Sequence, residues 1–257
     1  MSGITGVVHA TIVICVVLLI SGCAGGQGAG DTSPSAIPTA SLTSDKPSVS
    51  PSPIVRPLRD QRGTAILDPG TYVLDYFPVD LAFDIPDGDP PGWHVGMSTA
   101  NAAIVLWLTP PDITYVFAFW NVDNVYVDPC NATAGELQPR IGQSVDDLVA
   151  ALSKLRGFRA TAPVDVTVGA FRGKEIQLTA LDSGGACPEV IAFSSGGDNT
   201  GISAGETLRV QILDVDGVRI VMSRSRWVNT RVPVERDAAA EAELQQILDS
   251  IRIQPPS

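Results

Sequence analysis

The apolar run over residues 7–20 stops after ~14 residues, within the length of a signal h-region and short of the ~20 that cross a bilayer. It is interrupted by His9, Ala10 and Thr11, and residues 1–22 carry no charged side chain. Two small residues and a thiol end it, in Ile20-Ser21-Gly22-Cys23. The composition then changes: residues 31–58 hold seven Ser, three Thr and six Pro, with only Asp31, Asp45, Lys46 and Arg56 charged. A segment so poor in large apolar side chains cannot offset its ordering entropy and is expected to be disordered. Everything that can build a core therefore lies beyond it. The expected organisation is a leader over residues 1–22, a Ser/Thr/Pro-rich tether over 23–60 and one globular domain over 61–257.

The Ile20-Ser21-Gly22-Cys23 element resembles the lipobox of bacterial lipoproteins. That resemblance implies a diacylglyceryl group on the Cys23 thiol and cleavage just before it. A thiol is the soft nucleophile a thioether needs, and small residues at the cut let the backbone enter a peptidase cleft. The leader departs from the family in having no Lys or Arg ahead of the apolar run. Two or more acyl chains, each contributing ~0.8 kcal/mol per buried methylene, hold a protein at a membrane where one does not. The expected location is the extracytoplasmic face of the cell membrane, reached through the lipid. A tether of ~35 residues reaches roughly 35 Å as a flexible coil and ~110 Å if polyproline-like. Ser and Thr next to Pro can also carry O-linked sugars.

Cleavage discards Cys15 and leaves Cys130 and Cys187 as the remaining pair. An even pair in an exported chain reads as a disulfide, and closing a loop of ~57 residues constrains the unfolded chain by about 4 kcal/mol. Seventeen Lys and Arg against 28 Asp and Glu give a net charge of -11, with no basic run. Nucleic acid is excluded as a partner on that ground, and an anionic lipid surface would repel the domain rather than attract it.

Past residue 63 the pattern turns to strands. Val79, Leu81, Phe83 and Ile85 alternate with Asp80, Ala82 and Asp84, the period of a half-buried strand. Further strands are expected over residues 103–108, 113–122, 164–168, 174–179, 208–214 and 218–222. The last two flank Val215-Asp216-Gly217, a hairpin signal. Ser144 followed by Asp147 reads as a capping box opening a helix, and residues 235–250 as a second helix with Leu244, Ile247, Leu248 and Ile251 on one face. Strands in a run with two main helices against them predict an α+β fold built on an antiparallel sheet.

The segments "AFWNVDNVYVDPC" (118–130), "SVDDLVAAL" (144–152), "FRGKEIQLT" (171–179), "LDVDGVRIV" (213–221) and "LQQILDSIRI" (244–253) resemble a group of exported or lipid-anchored actinobacterial domains of unassigned activity. Where that group carries Asp-Gly in its other hairpin, this chain has Gly169-Ala170, which predicts a looser turn. The order of strands and the last helix is also similar to the PsbP-like sandwich of some mycobacterial lipoproteins, and that likeness implies a fold rather than a function.

Chemistry-bearing motifs are incomplete. Gly201-Ile202-Ser203-Ala204-Gly205 has the spacing of a nucleophile elbow, but an elbow needs a strand leading in, a helix leading out and a later His. His94 is the only His after the leader, and it precedes Ser203; the surrounding "SSGGDNTGISAGE" (194–206) reads as a flexible Gly-Ser loop. Gly169 to Lys174 falls one residue short of a phosphate loop, with Glu175 where Ser or Thr should hold magnesium, and reads as a hairpin turn. His94 itself reads as a partly exposed strand residue. Asp84, Asp87 and Asp89, and Asp123, Asn124 and Asp128, lack the regular spacing calcium asks for and read as turn acids.

No catalytic residue, metal or cofactor is therefore expected. The favoured reading is a non-enzymatic lipoprotein that binds a small molecule or an envelope protein. Its candidate site is Trp120, Asn121, Asp123, Asn124 and Tyr126, beside the Cys130–Cys187 bridge, because Trp and Tyr carry much of the energy where they bind. The alternatives are a hydrolase working with two Asp carboxylates and a structural envelope factor.

Overall fold

The computed structural model describes residues 54–61, 65–88, 92–109, 112–182, 187, 189–226 and 234–254. The leader, Cys23, the tether up to residue 53 and Asp89 lie outside them.

The strands are β1 (Val55–Pro57), β2 (Gly70–Leu74), β3 (Asp80–Ile85), β4 (Trp93–Ser98), β5 (Ala102–Thr109) and β6 (Asp112–Trp120), before helix α1 (Val145–Leu152). After it come β7 (Phe158–Ala160), β8 (Val164–Val168), β9 (Phe171–Ala180), β10 (Val190–Ser195), β11 (Asp198–Ile202), β12 (Thr207–Val215) and β13 (Val218–Arg226), then helix α2 (Val234–Asp249) and β14 (Arg252–Gln254). The main sheet runs β4-β5-β6-β13-β12-β9-β7, with β8 paired to β9; β1-β2-β3-β14 form a four-stranded sheet and β10-β11 a ribbon.

This architecture corrects the α+β expectation. Strands dominate, and the arrangement is sandwich-like: each face of the eight-stranded sheet has its own core. The first core lies between that sheet and the four-stranded one, around Tyr72, Phe83, Trp93, Phe117 and Phe119, with α2 packed on β3 and β6. The second gathers Trp120, Phe193, Ile176, Leu178, Val210 and Ile212, with α1 on β9 and β12. Helices of 8 and 16 residues fill gaps beside the strands rather than forming layers. The PsbP-like sandwich is set aside with the α+β reading.

β6 shows why the sheet lies between two cores. Phe117 and Phe119 enter the first core and Ala118 and Trp120 the second, so the strand is apolar at every position from 115 to 120 instead of alternating with polar residues. β12 does the same, with Ile212 on one side and Leu213 on the other. The strands the sequence did not reveal are short or broken by polar residues. β1 falls within the expected tether and pairs in parallel with β2, so order begins before residue 61. The supposed Gly-Ser loop is the β10–β11 hairpin, which turns through Gly196-Gly197.

The local signals are well placed. Asp216 and Gly217 have φ of 51° and 87°, the left-handed values a tight hairpin requires. Asp214 Oδ1 accepts the Gly217 N–H at 2.7 Å and steadies the turn. The Gly169-Ala170 turn also closes tightly, with Val168 opposite Phe171. At α1, Ser144 Oγ accepts the Asp147 N–H at 3.1 Å and Asp147 Oδ2 accepts the Ser144 N–H at 3.2 Å, a complete capping box. The Ser144 hydroxyl, which also donates to Asp147 Oδ2 at 2.7 Å, and then the Ser144 N–H hold the Asp147 carboxyl below its ordinary range.

Candidate functional site

The five residues expected to form a site are placed together, but their side chains and backbone brace a loop. Trp120 is 1% exposed; its Nε1–H donates to Ser223 Oγ at 2.8 Å, and its ring meets Phe193 edge to face. Asn124 is fully buried: its Nδ2 donates to Leu137 O at 2.9 Å, and its backbone exchanges hydrogen bonds with Ser194. Asn121 O accepts from Ser195 Oγ at 2.6 Å, and Asp123 Oδ2 from the Gly196 N–H at 2.6 Å. Half-buried Tyr126 bridges to Glu136. The Cys130–Cys187 disulfide is present, with Cα atoms 5.2 Å apart, and fastens the loop near the start of β10.

Beneath the loop, Arg219 spans three carbonyls: Gly142 O at 2.6 Å, Ser144 O at 3.2 Å and Val122 O at 2.9 Å. Burial pulls its pKa down, and the Asp147 and Asp123 charges pull it back up. A guanidinium offers its donors in a rigid planar fork, which suits a position where several carbonyls converge.

The motifs weighed in the sequence resolve similarly. Ser203 is an exposed turn residue between β11 and β12, with no helix after it. His94 is 7% exposed within β4, more buried than expected. Lys174 lies in β9 and pairs with Asp165 at 2.6 Å. Asp84 is held below the carboxylate range chiefly by hydrogen bonds from Arg252, which links β3 to β14. Asp128 Oδ1 caps the Cys130 N–H at 3.0 Å. Among the described residues no cluster of three or more His, Cys, Asp or Glu could hold a metal.

The open site is elsewhere. α2 covers β6, but on the same face the neighbouring strands change from apolar to polar. On β13, Met222 enters the core while Arg224 and Arg226 continue that row; on β12, Leu213 enters it while Gln211 and Arg209 continue. The helix and this polar floor enclose a trough of about 430 Å³, floored by Tyr115, Gln177, Arg209, Arg224 and Arg226 and walled by Glu241, Leu244 and Gln245. A second cavity of about 360 Å³ shares Arg224 and Gln245 with it and extends to Val168 and Ile251.

Two of the lining residues, Tyr115 and Arg226, form a clasp with Asp237 of α2. Tyr115 Oη donates to Asp237 Oδ1 at 3.0 Å, Arg226 Nε donates to Tyr115 Oη at 3.1 Å, and Arg226 also pairs with Asp237. Burial, above all, pushes the Tyr115 hydroxyl up to about 12, so it stays protonated as a donor. Farther along, Glu175 accepts from Gln211 Nε2 at 2.8 Å and lies 3.8 Å from Arg224, an ion pair too long for a hydrogen bond. Burial pulls the Arg224 pKa down, Glu175 and Glu241 raise it and Arg209 lowers it further. Arg209 is exposed on the floor and forms no ion pair among the described residues.

Of these trough residues the sequence singled out Leu244 alone, as part of the apolar face of the last helix and not as part of a site. The available signal was the alternation Arg224-Ser225-Arg226 after Met222, together with Arg209 and Gln211 on β12: polar residues continuing an otherwise apolar row.

No family model matches the chain, and no curated protein matches it. Among the solved structures that are similar in part are two. One, from Bacteroides thetaiotaomicron, is 11% identical over 68% of this chain and 45% of its own, with a TM-score of 0.29. The chain spans just under half the length of that structure. The other is LpqN of Mycobacterium tuberculosis, described as involved in cell envelope biogenesis, 14% identical over 79% of this chain and 90% of its own, with a TM-score of 0.23. Scores this low carry neither a shared fold nor a function to this chain. No helix among the described residues is long and apolar enough to cross a membrane.

Proposed function

We propose that the chain is a lipid-anchored extracytoplasmic module that binds a ligand in the trough beneath α2. Anchoring through Cys23 is supported by the short apolar leader and the lipobox-like residues. An extracytoplasmic location is supported by the Cys130–Cys187 disulfide, a bond that persists in oxidising compartments. The candidate site moves from the 120–126 segment to the trough. There, polar side chains with spare hydrogen-bonding capacity face a cavity of about 430 Å³, within the size range of small-molecule pockets. That juxtaposition carries the reading.

The test is native mass spectrometry of the full chain purified gently from envelopes, beside the variant Gln245→Trp. Gln245 is exposed on α2 and lines both cavities, so a bulky ring there fills the trough without disturbing either core. The wild type is expected to carry a non-covalent adduct that the variant lacks. Identical adduct profiles would contradict the proposal.

A further inference from the structure

Arg209 and Arg224 are directly opposite one another on adjacent antiparallel strands, with both side chains lining the trough. Side chains so paired have Cβ atoms roughly 4.5–5.5 Å apart, and like charges in that relation repel. In a chain of net charge -11, acidic partners are plentiful, yet this pair is only partly neutralised. Arg226 on the same strand shows the alternative, being hydrogen-bonded to Tyr115 and ion-paired with Asp237. Glu175, the one acid in ion-pair range of Arg224 among the described residues, is hydrogen-bonded to Gln211. Glu241 faces the trough from α2.

We propose that Arg209 and Arg224 form an oxyanion site for a phosphoryl group on the trough's ligand. This rests on the reading of the trough as a ligand site. Two guanidiniums present more donors than the two oxygens of a carboxylate can use in plane, whereas a phosphoryl group offers three oxygens to separate forks. Gln177 and Thr207, next to Arg209 on the floor, add neutral donors. The bound anion would relieve the repulsion between the arginines, and Glu241 would oppose it. The group could arrive on a soluble phosphate ester or as a lipid headgroup; the chemistry recognised is the same.

The probe is inorganic phosphate, titrated by calorimetry into the full chain carrying Cys23→Ser, which removes the acylation site. Saturable binding is expected, weakened about tenfold or more by Arg209→Gln or Arg224→Gln, since a charged hydrogen bond of this kind is worth at least that factor. Glu241→Gln should tighten it, and Arg172→Gln, on the β8–β9 hairpin, should leave it unchanged. Flotation with phosphatidylcholine vesicles, with and without phosphatidylglycerol, then assigns the source. Retention on vesicles of either composition, lost in Arg224→Gln, identifies a headgroup; phosphate binding without retention identifies a soluble ester. Phosphate affinity equal in the wild type and both arginine variants, or absent from all, overturns the inference. If an uncharged adduct is nevertheless lost in Gln245→Trp, the trough remains a binding site and only its ligand class is wrong.

Discussion

The loop over residues 121–144 and the trough beneath α2 are both rich in polar groups, and they differ in where those groups point. In the loop, Asn121, Asp123 and Asn124 have backbone partners, Arg219 beneath it bonds to three carbonyls, and a disulfide fastens the whole. In the trough, Arg224 has only a long ion pair among the described residues, and Arg209 points into a cavity. Polar groups that satisfy one another inside a fold hold it in shape. Those left facing a cavity at some electrostatic cost are available to something else.

Substitutions can break or sharpen this contrast. The largest effect is expected from Trp120→Ala, which empties a buried site and orphans Ser223 Oγ. Urea denaturation should show a loss of about 3–5 kcal/mol, with phosphate affinity unchanged in the folded fraction. Asn124→Ala comes next, because it strips Leu137 O of its Nδ2 donor in a buried position; about 1–3 kcal/mol is expected, again without effect on binding. Arg224→Gln is the converse. It should change stability by no more than about 0.5 kcal/mol, as partly exposed substitutions generally do, while weakening phosphate binding about tenfold or more. A Trp120 variant that folds normally and loses the ligand would reverse the assignment of the two regions.

Legibility in the sequence followed the range of the signal. The Ser144–Asp147 capping box and the Asp216-Gly217 turn are short-range devices, and both could be read because each acts within a few residues. α2 was equally plain from its spacing of Leu244, Ile247 and Ile251. The second core was not. Period two places Trp120 on the opposite face from Phe119, but only the tertiary fold shows that Phe193 and α1 cover that face too. An aromatic residue that looked available is therefore closed in. The trough escaped notice for a related reason: Arg209 and Arg224 become neighbours only through the β12–β13 register. The β10–β11 hairpin was hidden by its own composition, since a Gly-Gly turn amid Ser and Asn resembles a flexible loop until its strands are seen to pair.

The central claim is tested most directly by mapping backbone amide chemical shifts of the full chain with Cys23→Ser as inorganic phosphate is added. The account predicts saturable shifts centred on residues 207–211, 222–226 and 241–245, with residues 120–126 unmoved. Shifts confined to residues 120–126 and the neighbouring disulfide would contradict it, and would return the site to the loop.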